Sequence, residues 1–235
     1  MARRVTETTG AVPVPDVRQD RLMTDARAPR VVPYGDDAVL VELPGLAEVR
    51  ALDDAVRAAR TTDPDAAGIV DQVPAARTLL LRVREDADPG ALPVERWWAA
   101  RSDRTAEAEA REVVLAVDYD GPDLADVSRL TGLTVDEVVA RHTGARYTVA
   151  FGGFMAGFAY LVGLDPVLRV PRLDSPRERV PAGSVAIADE FSAVYPAATP
   201  GGWRLLGRCE RTLFDVHRDP PALLQPGTHV RFTAS

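Results

Sequence analysis

The 235-residue chain contains no lysine and no asparagine, a single cysteine and three histidines. Each scarcity removes a class of chemistry. Without lysine there is no Schiff-base amine, no lysine general base and no P-loop lysine, so a P-loop nucleotide site is excluded. Any phosphate would have to be held by arginine and backbone amides. All 28 strongly basic side chains are arginine, a bias that, with the abundance of alanine, fits GC-rich codon usage. Cys209 alone cannot build an intrachain disulfide framework, and the expected compartment is the reducing cytoplasm. Three histidines and one cysteine at unrelated spacings carry no metal-site signal, so no metal is expected. No stretch approaches the roughly 18 apolar residues of a membrane span. No apolar block follows Arg3 and Arg4, so no secretory signal is expected. A net charge of −7 with scattered arginines speaks against a nucleic-acid surface. No Gly-x-Ser-x-Gly elbow is present, and nothing pairs a nucleophilic Ser or Cys with a base.

What is there suits a soluble protein of class α+β. Residues 1–30 are rich in Thr, Pro, Asp and Arg with no apolar period, and read as a disordered extension. Order is expected from Arg30, with a hairpin-like strand pair around the Gly35-Asp-Asp37 turn. Leu46, Val49, Leu52, Val56 and Ala59 recur at helical spacing, which predicts an amphipathic helix over 46–60. Strands are expected over 68–74 and 78–84, and a second helix over about 90–110. This order predicts a small two-layer α/β sandwich domain spanning 31–110.

A second domain is expected over 111–235. It opens with a strand at Glu112–Val117 and two short helices, the second capped by Thr134 and Glu137 and stopped by Gly144. Short strands follow at 146–151, 183–188, 193–196, 203–207 and 228–233, separated by Gly and Pro turns. That is the pattern of a compact β-barrel or sandwich.

Several residues in this half are candidates for chemistry. His142 closes a helix just before a strand, where it is either a proton-transfer group facing a cleft or a cation stabilising the helix C-terminus. Arg179, in the segment Arg179-Val-Pro181-Ala-Gly183-Ser184, is the leading anion ligand. Its guanidinium fork suits carboxylate or phosphate oxygens, the Gly183 and Ser184 amides offer further donors, and Arg172 and Arg177 are near enough to share the task. Phe154, Gly157, Phe158 and Tyr160 form either one wall of a pocket or a barrel corner. Tyr195-Pro196 and Pro200-Gly-Gly-Trp203 present aromatics on turns, as a cleft or a subunit interface would. Asp118 and Asp120 are either acid–base candidates or solvated turn residues.

The run Phe151-Gly-Gly-Phe154-Met-Ala-Gly-Phe158, with Arg177-Glu-Arg-Val-Pro-Ala-Gly-Ser184, Tyr195-Pro196 and Thr199-Pro-Gly-Gly-Trp203, resembles one bacterial family over residues 31–235. It is the smaller (B) subunit of ATP-dependent 5-oxoprolinase, also called allophanate hydrolase subunit 1, a carboxyltransferase subdomain C and D family that includes the kinase inhibitor KipI. The resemblance implies that the second domain is a cyclophilin-like β-barrel. It also implies ATP with Mg²⁺ as cofactor of an assembled complex. The implied partners are the larger 5-oxoprolinase subunit, also called allophanate hydrolase subunit 2, together with the third component of that enzyme. Within it, His142 and Arg179 would be the catalytic pair, while Phe154, Gly157, Tyr195 and Trp203 would shape the site or the contact between subunits. Two other roles fall within the same resemblance: a KipI-like inhibitor of a histidine kinase, and a urea carboxylase-type carboxyltransferase component. The chain departs from the family pattern at Met155-Ala156, at Asp189-Glu-Phe-Ser192, where glycines are usual, and at Ala198-Thr199.

Overall fold

Alternating apolar residues at 38–42 and 78–83 give two strands with one buried face each, and everything in the N-terminal unit follows from covering that face. The structure, a computed structural model, describes residues 28–101 and 111–235. Strands β1 (Arg30–Tyr34), β2 (Ala38–Glu42), β3 (Ile69–Pro74) and β4 (Thr78–Val83) form an antiparallel sheet in the order β1-β2-β4-β3. Val39 pairs with Leu81 and Val41 with Leu79. These four side chains meet Val49, Leu52 and Val56 of helix α1 (Leu46–Thr62) in a shared core. Helix α2 (Val94–Ala100) adds Val94 and Trp97 to that core, and the Trp97 indole donates to Asp63 at 2.9 Å. The expected order of strand pair, helix, strand pair, helix is therefore present.

The second helix is shorter than the sequence suggests. Pro93 stands at its N-cap and Leu92 before it is extended, with ψ of 125°, so the helix cannot begin before Val94. Only a single 3₁₀ turn at Pro89–Ala91 precedes it. The remainder of the expected helix, and nearly all of the expected extension over 1–30, lies outside the described residues.

The C-terminal unit is a seven-stranded, nearly closed sheet. Its strands are β5 (Glu112–Val117), β6 (Tyr147–Gly152), β7 (Ala159–Val162), β9 (Ser184–Ala188), β10 (Phe191–Val194), β12 (Arg204–Arg208) and β13 (His229–Ala234), in the order β12-β9-β10-β7-β6-β13-β5. Helices α3 (Leu124–Thr131) and α4 (Val135–Gly144) pack Leu124, Val127 and Val138 onto one face, against Leu115, Leu206 and Phe232. The predicted capping box on α4 forms, with Thr134 and Glu137 satisfying each other's amides. Gly144 does not stop this helix in a left-handed turn; it is the last helical residue, and extended Ala145 ends it.

Strand β9 explains how the sheet holds two layers. Val185 and Ile187 point into the main core, whereas Ala186 and Ala188 belong to a second cluster with Phe158, Tyr195 and Trp203. A strand buried on both faces loses its alternation. The covering on the second face is a two-stranded flap of β8 (Arg177–Val180) and β11 (Thr199–Gly201), neither of which periodicity indicates. Strand β7 is likewise absent from the expected set, its four residues lying inside a glycine- and aromatic-rich stretch.

The sheet closes where Asp118 and Arg208 exchange two backbone hydrogen bonds of 2.9 Å, linking the ends of β5 and β12. A Cβ on Gly207 would overlap the Asp118 carbonyl oxygen, so closure depends on the absent side chain. Gly207→Ala should therefore destabilise the protein by about 1–3 kcal/mol in urea unfolding. Gly144→Ala, with nothing within 4 Å of the added methyl, should stabilise by about 0.5–1 kcal/mol.

Candidate functional site

On the outer face of the barrel sheet, under the β8–β11 flap, five of the aromatic residues singled out in the sequence converge on one small cavity. Phe158 is the hub. Its ring meets Phe154, Tyr160, Tyr195 and Trp203 edge-to-face, with centroids 5.3, 5.1, 5.3 and 5.7 Å away. Edge-to-face contacts match the positive rim of one ring to the negative face of another, so the cluster fixes ring orientation as well as position. The cavity they enclose, of about 90 Å³, is also lined by Arg172 and by Pro200, Gly201 and Gly202 of the flap.

Glycines set this arrangement. Gly157 has φ of 79°, and a Cβ on it would come within 2.6 Å of the Phe214 Cβ. A Cβ on Gly201 would meet the Tyr195 hydroxyl at 2.6 Å. Between Gly153 and Gly157, Phe154 itself sits at φ of 65°, and the residue is 61% exposed at the rim. Left-handed backbone at an aromatic residue is uncommon and costs about 1–3 kcal/mol. Burial pushes the Tyr195 phenol above its ordinary pKa, so it remains a neutral hydrogen-bonding group.

The cation at this pocket is Arg172. Its guanidinium lies 5.6 Å from the Trp203 ring centroid and 3.9 Å from the Asp189 carboxylate. Arg179, the expected anion ligand, is instead exposed on β8, away from the aromatic cavity. Both amides expected to assist it are engaged elsewhere, Gly183 N–H with the Tyr195 carbonyl at 2.7 Å and Ser184 N–H with that of Pro181 at 3.3 Å. Arg177 is taken up by Asp123 at 2.5 Å. Gly183 and Tyr195 line a separate groove of about 480 Å³ beside Arg208–Thr212. The structure thus gathers Phe154, Phe158, Tyr160, Tyr195 and Trp203, places Gly157 behind them, and leaves Arg179, Pro181 and Ser184 outside. The legible signal for Arg172 is its nearness in sequence to Arg179.

His142 is a more fundamental departure. It is fully buried, with its ring 4.6 Å from that of Phe232 and 5.3 Å from that of Tyr147. The Tyr119 hydroxyl lies 2.7 Å from Nδ1 and the Ser192 hydroxyl 3.1 Å from Nε2. Ser192 donates its one hydroxyl hydrogen to the Ala186 carbonyl. Its oxygen must then accept from Nε2–H, which leaves Nδ1 to accept from Tyr119. Burial lowers the His142 pKa to about 3. The ring is a neutral connector between α4, β10 and the turn after β5, neither a cleft-facing base nor a helix-terminal cation, because no water reaches it to stabilise a charge.

A histidine near 6.5 when unfolded and near 3 when folded binds its proton preferentially in the unfolded chain. The stability it contributes is complete above about pH 6.5 and is lost as pH falls below that value, at up to about 1.4 kcal/mol per pH unit. Urea unfolding should show lower stability at pH 5.5 than at pH 7.5. His142→Gln should flatten that difference, and in the wild type the His142 ring resonances should not titrate between pH 5 and 8.

Comparison with known proteins places this geometry in context. The carboxyltransferase domain, subdomain C and D, family model matches residues 29–224. The 5-oxoprolinase B subunit of Escherichia coli O157:H7 is 42% identical over 174 residues, covering 72% of this chain and 79% of that protein. The crystal structure of TTHA0988 superposes with a TM-score of 0.72 at 34% identity, over 84% of this chain. The chain spans only 40% of TTHA0988, which therefore contains a large further portion. The Kluyveromyces lactis urea amidolyase matches 90% of this chain and 15% of its own at a TM-score of 0.67; at 18% identity it speaks to fold alone.

Proposed function

The chain belongs to the carboxyltransferase subdomain C and D family that includes the 5-oxoprolinase B subunit, and on that premise we propose that it is the small subunit of a heteromeric, ATP-dependent amide hydrolase opening 5-oxo-L-proline to L-glutamate. One observation carries the reading: an aromatic pocket with a single guanidinium at its rim. A five-membered lactam is flat enough to sit among ring edges, and its carboxylate calls for a cation such as Arg172.

The proposed division of labour follows from the chemistry of the lactam. A lactam carbonyl is poorly electrophilic because nitrogen donates into it, so opening it needs an activated oxygen, and ATP supplies that activation by phosphorylation. In net terms, one water opens the ring and a second is consumed as ATP yields ADP and phosphate. Among the described residues no group of three or more His, Cys, Asp or Glu is placed to hold a metal ion, and the sequence has no P-loop lysine. In this reading ATP with Mg²⁺ belongs to the assembled complex. The pocket's part is to hold and orient the ring and to keep bulk water from it. The larger subunit, with the third component, completes the site.

A second reading, a KipI-like kinase inhibitor, is favoured by the exposed Phe154 ring, a ready anchor for a protein partner. The same preparation decides between them. Co-expressed with the larger subunit, and supplied with the third component, the chain should support ATP-dependent release of glutamate from 5-oxo-L-proline. Trp203→Ala and Arg172→Ala should each lower kcat/KM by at least about tenfold, a loss near 1.4 kcal/mol in transition-state stabilisation, while the assembly still forms. No turnover by the wild-type assembly, or undiminished turnover by both variants, refutes the enzymatic reading. Capture of a histidine kinase that depends on Phe154 supports the second.

A further inference from the structure

Arg172, the cation lining the aromatic pocket, belongs to a charge pair with Asp189 that the proposed chemistry does not require. Asp189 and Glu190 form the two-residue turn between β9 and β10, closed by the pairing of Ala188 with Phe191. Asp189 stands at φ of 51°, one of two described non-glycine residues with positive φ. The other is Phe154, at the rim of the same pocket. At this position of a two-residue hairpin loop glycine meets no steric cost and aspartate is one of the few other residues that tolerate it. The turn is held in place, since the Asp189 amide donates to the Val170 carbonyl at 2.8 Å. That bond brings the turn against the segment that leads to Arg172, and the two side chains lie 3.9 Å apart. Arg172 in turn lies over Trp203.

We propose that Asp189 is a specificity-determining residue of this pocket, an internal counter-ion that competes with a ligand carboxylate for Arg172. An anionic ligand must displace or share the Asp189 carboxylate, whereas a neutral ring of the same shape meets no such competitor. Both partners are more than half exposed, at 56% for the Arg172 side chain and 64% for Asp189. Solvent therefore screens the pair, and its effect on affinity is modest and salt-dependent. The consequence is selectivity by charge: the pair weakens the binding of carboxylate ligands and leaves that of neutral ones unchanged.

The inference rests on the aromatic cavity being the substrate pocket, and the experiment separates the two. The probes are 5-oxo-L-proline, which has a ring and a carboxylate, and 2-pyrrolidinone, which has the ring alone. KM for the first and Ki for the second are measured in the reconstituted assembly with ATP. Asp189→Asn is the variant of choice, because asparagine tolerates left-handed backbone and keeps the turn. It should lower KM for 5-oxo-L-proline about two- to fivefold, the span of an exposed ion pair, with kcat and the 2-pyrrolidinone Ki unchanged. The effect should vanish in an Arg172→Ala background, since a double-mutant cycle reads only what the two residues share. Glu190→Gln removes the same charge one position away and should change KM less than Asp189→Asn.

The proposal is overturned if Asp189→Asn leaves KM unchanged, if it acts equally with and without Arg172, or if it moves both probes together. If Trp203→Ala alters the binding of neither probe, the pocket reading itself fails and takes this inference with it.

Discussion

The buried carboxylate of Asp123 is the tie on which the candidate site depends. One oxygen accepts the Leu205 amide at 2.7 Å and the other accepts from Arg177 at 2.5 Å. Leu205 lies two residues beyond Trp203 in the chain, and Arg177 pairs with Gly201 across the flap. A single anion at the start of α3 therefore anchors both sides of the Gly201–Trp203 segment that walls the pocket. The Asp123 residue is only 5% exposed, and among the described residues these two groups are the hydrogen-bond partners of its side chain. Removing one partner of a buried pair leaves the other uncompensated, which costs about 3–5 kcal/mol. Pocket shape is in this sense an electrostatic property of α3.

Above that anchor the site is built by rings and glycines together. Phe158 cannot meet four aromatic neighbours edge-to-face unless the loop before it turns at Gly157 and the flap approaches Tyr195 at Gly201. The small residues of the sheet serve the same end. Ala186, Ala188 and Ala193 present a low floor on which large rings can lie. Alternating small and large residues across an interface is how facing layers reach native packing density. The pocket is what remains where the rings do not quite close.

How much of this is legible in the residues differs by level. The first helix and the early strands can be read because their apolar residues keep the period of the structure they form. The aromatic cluster can be read because glycine beside aromatics has no explanation in either period. The flap strands cannot: β8 is Arg177-Glu-Arg-Val180, charged and short, and becomes a strand only by pairing with β11. The role of His142 is hidden for a related reason. Its place in the last turn of a helix suggests solvent, but the helix packs that end onto β13, and burial is a tertiary fact that local sequence does not carry. Arg172 displaces Arg179 on the same ground, since only the folded chain decides which arginine faces the rings.

Strand β13 sits between β6 and β5, pairing in parallel with β5 across more than a hundred positions of sequence. The pieces joined in this part of the sheet are thus among the first and the last of the C-terminal unit to leave the ribosome. Loop closure over that span must be completed before the core of Leu115, Tyr147 and Phe232 exists. Until then β5 lacks its ladder partner and β6, paired with β7 on one side, keeps its other edge open, the state in which a nascent chain is most exposed to mispairing. The N-terminal α/β unit, whose sheet is local in sequence, has no such wait. Synthesis of this protein is therefore a matter of timing, because the parallel ladder of β5 and β13 waits for the last strand of its unit.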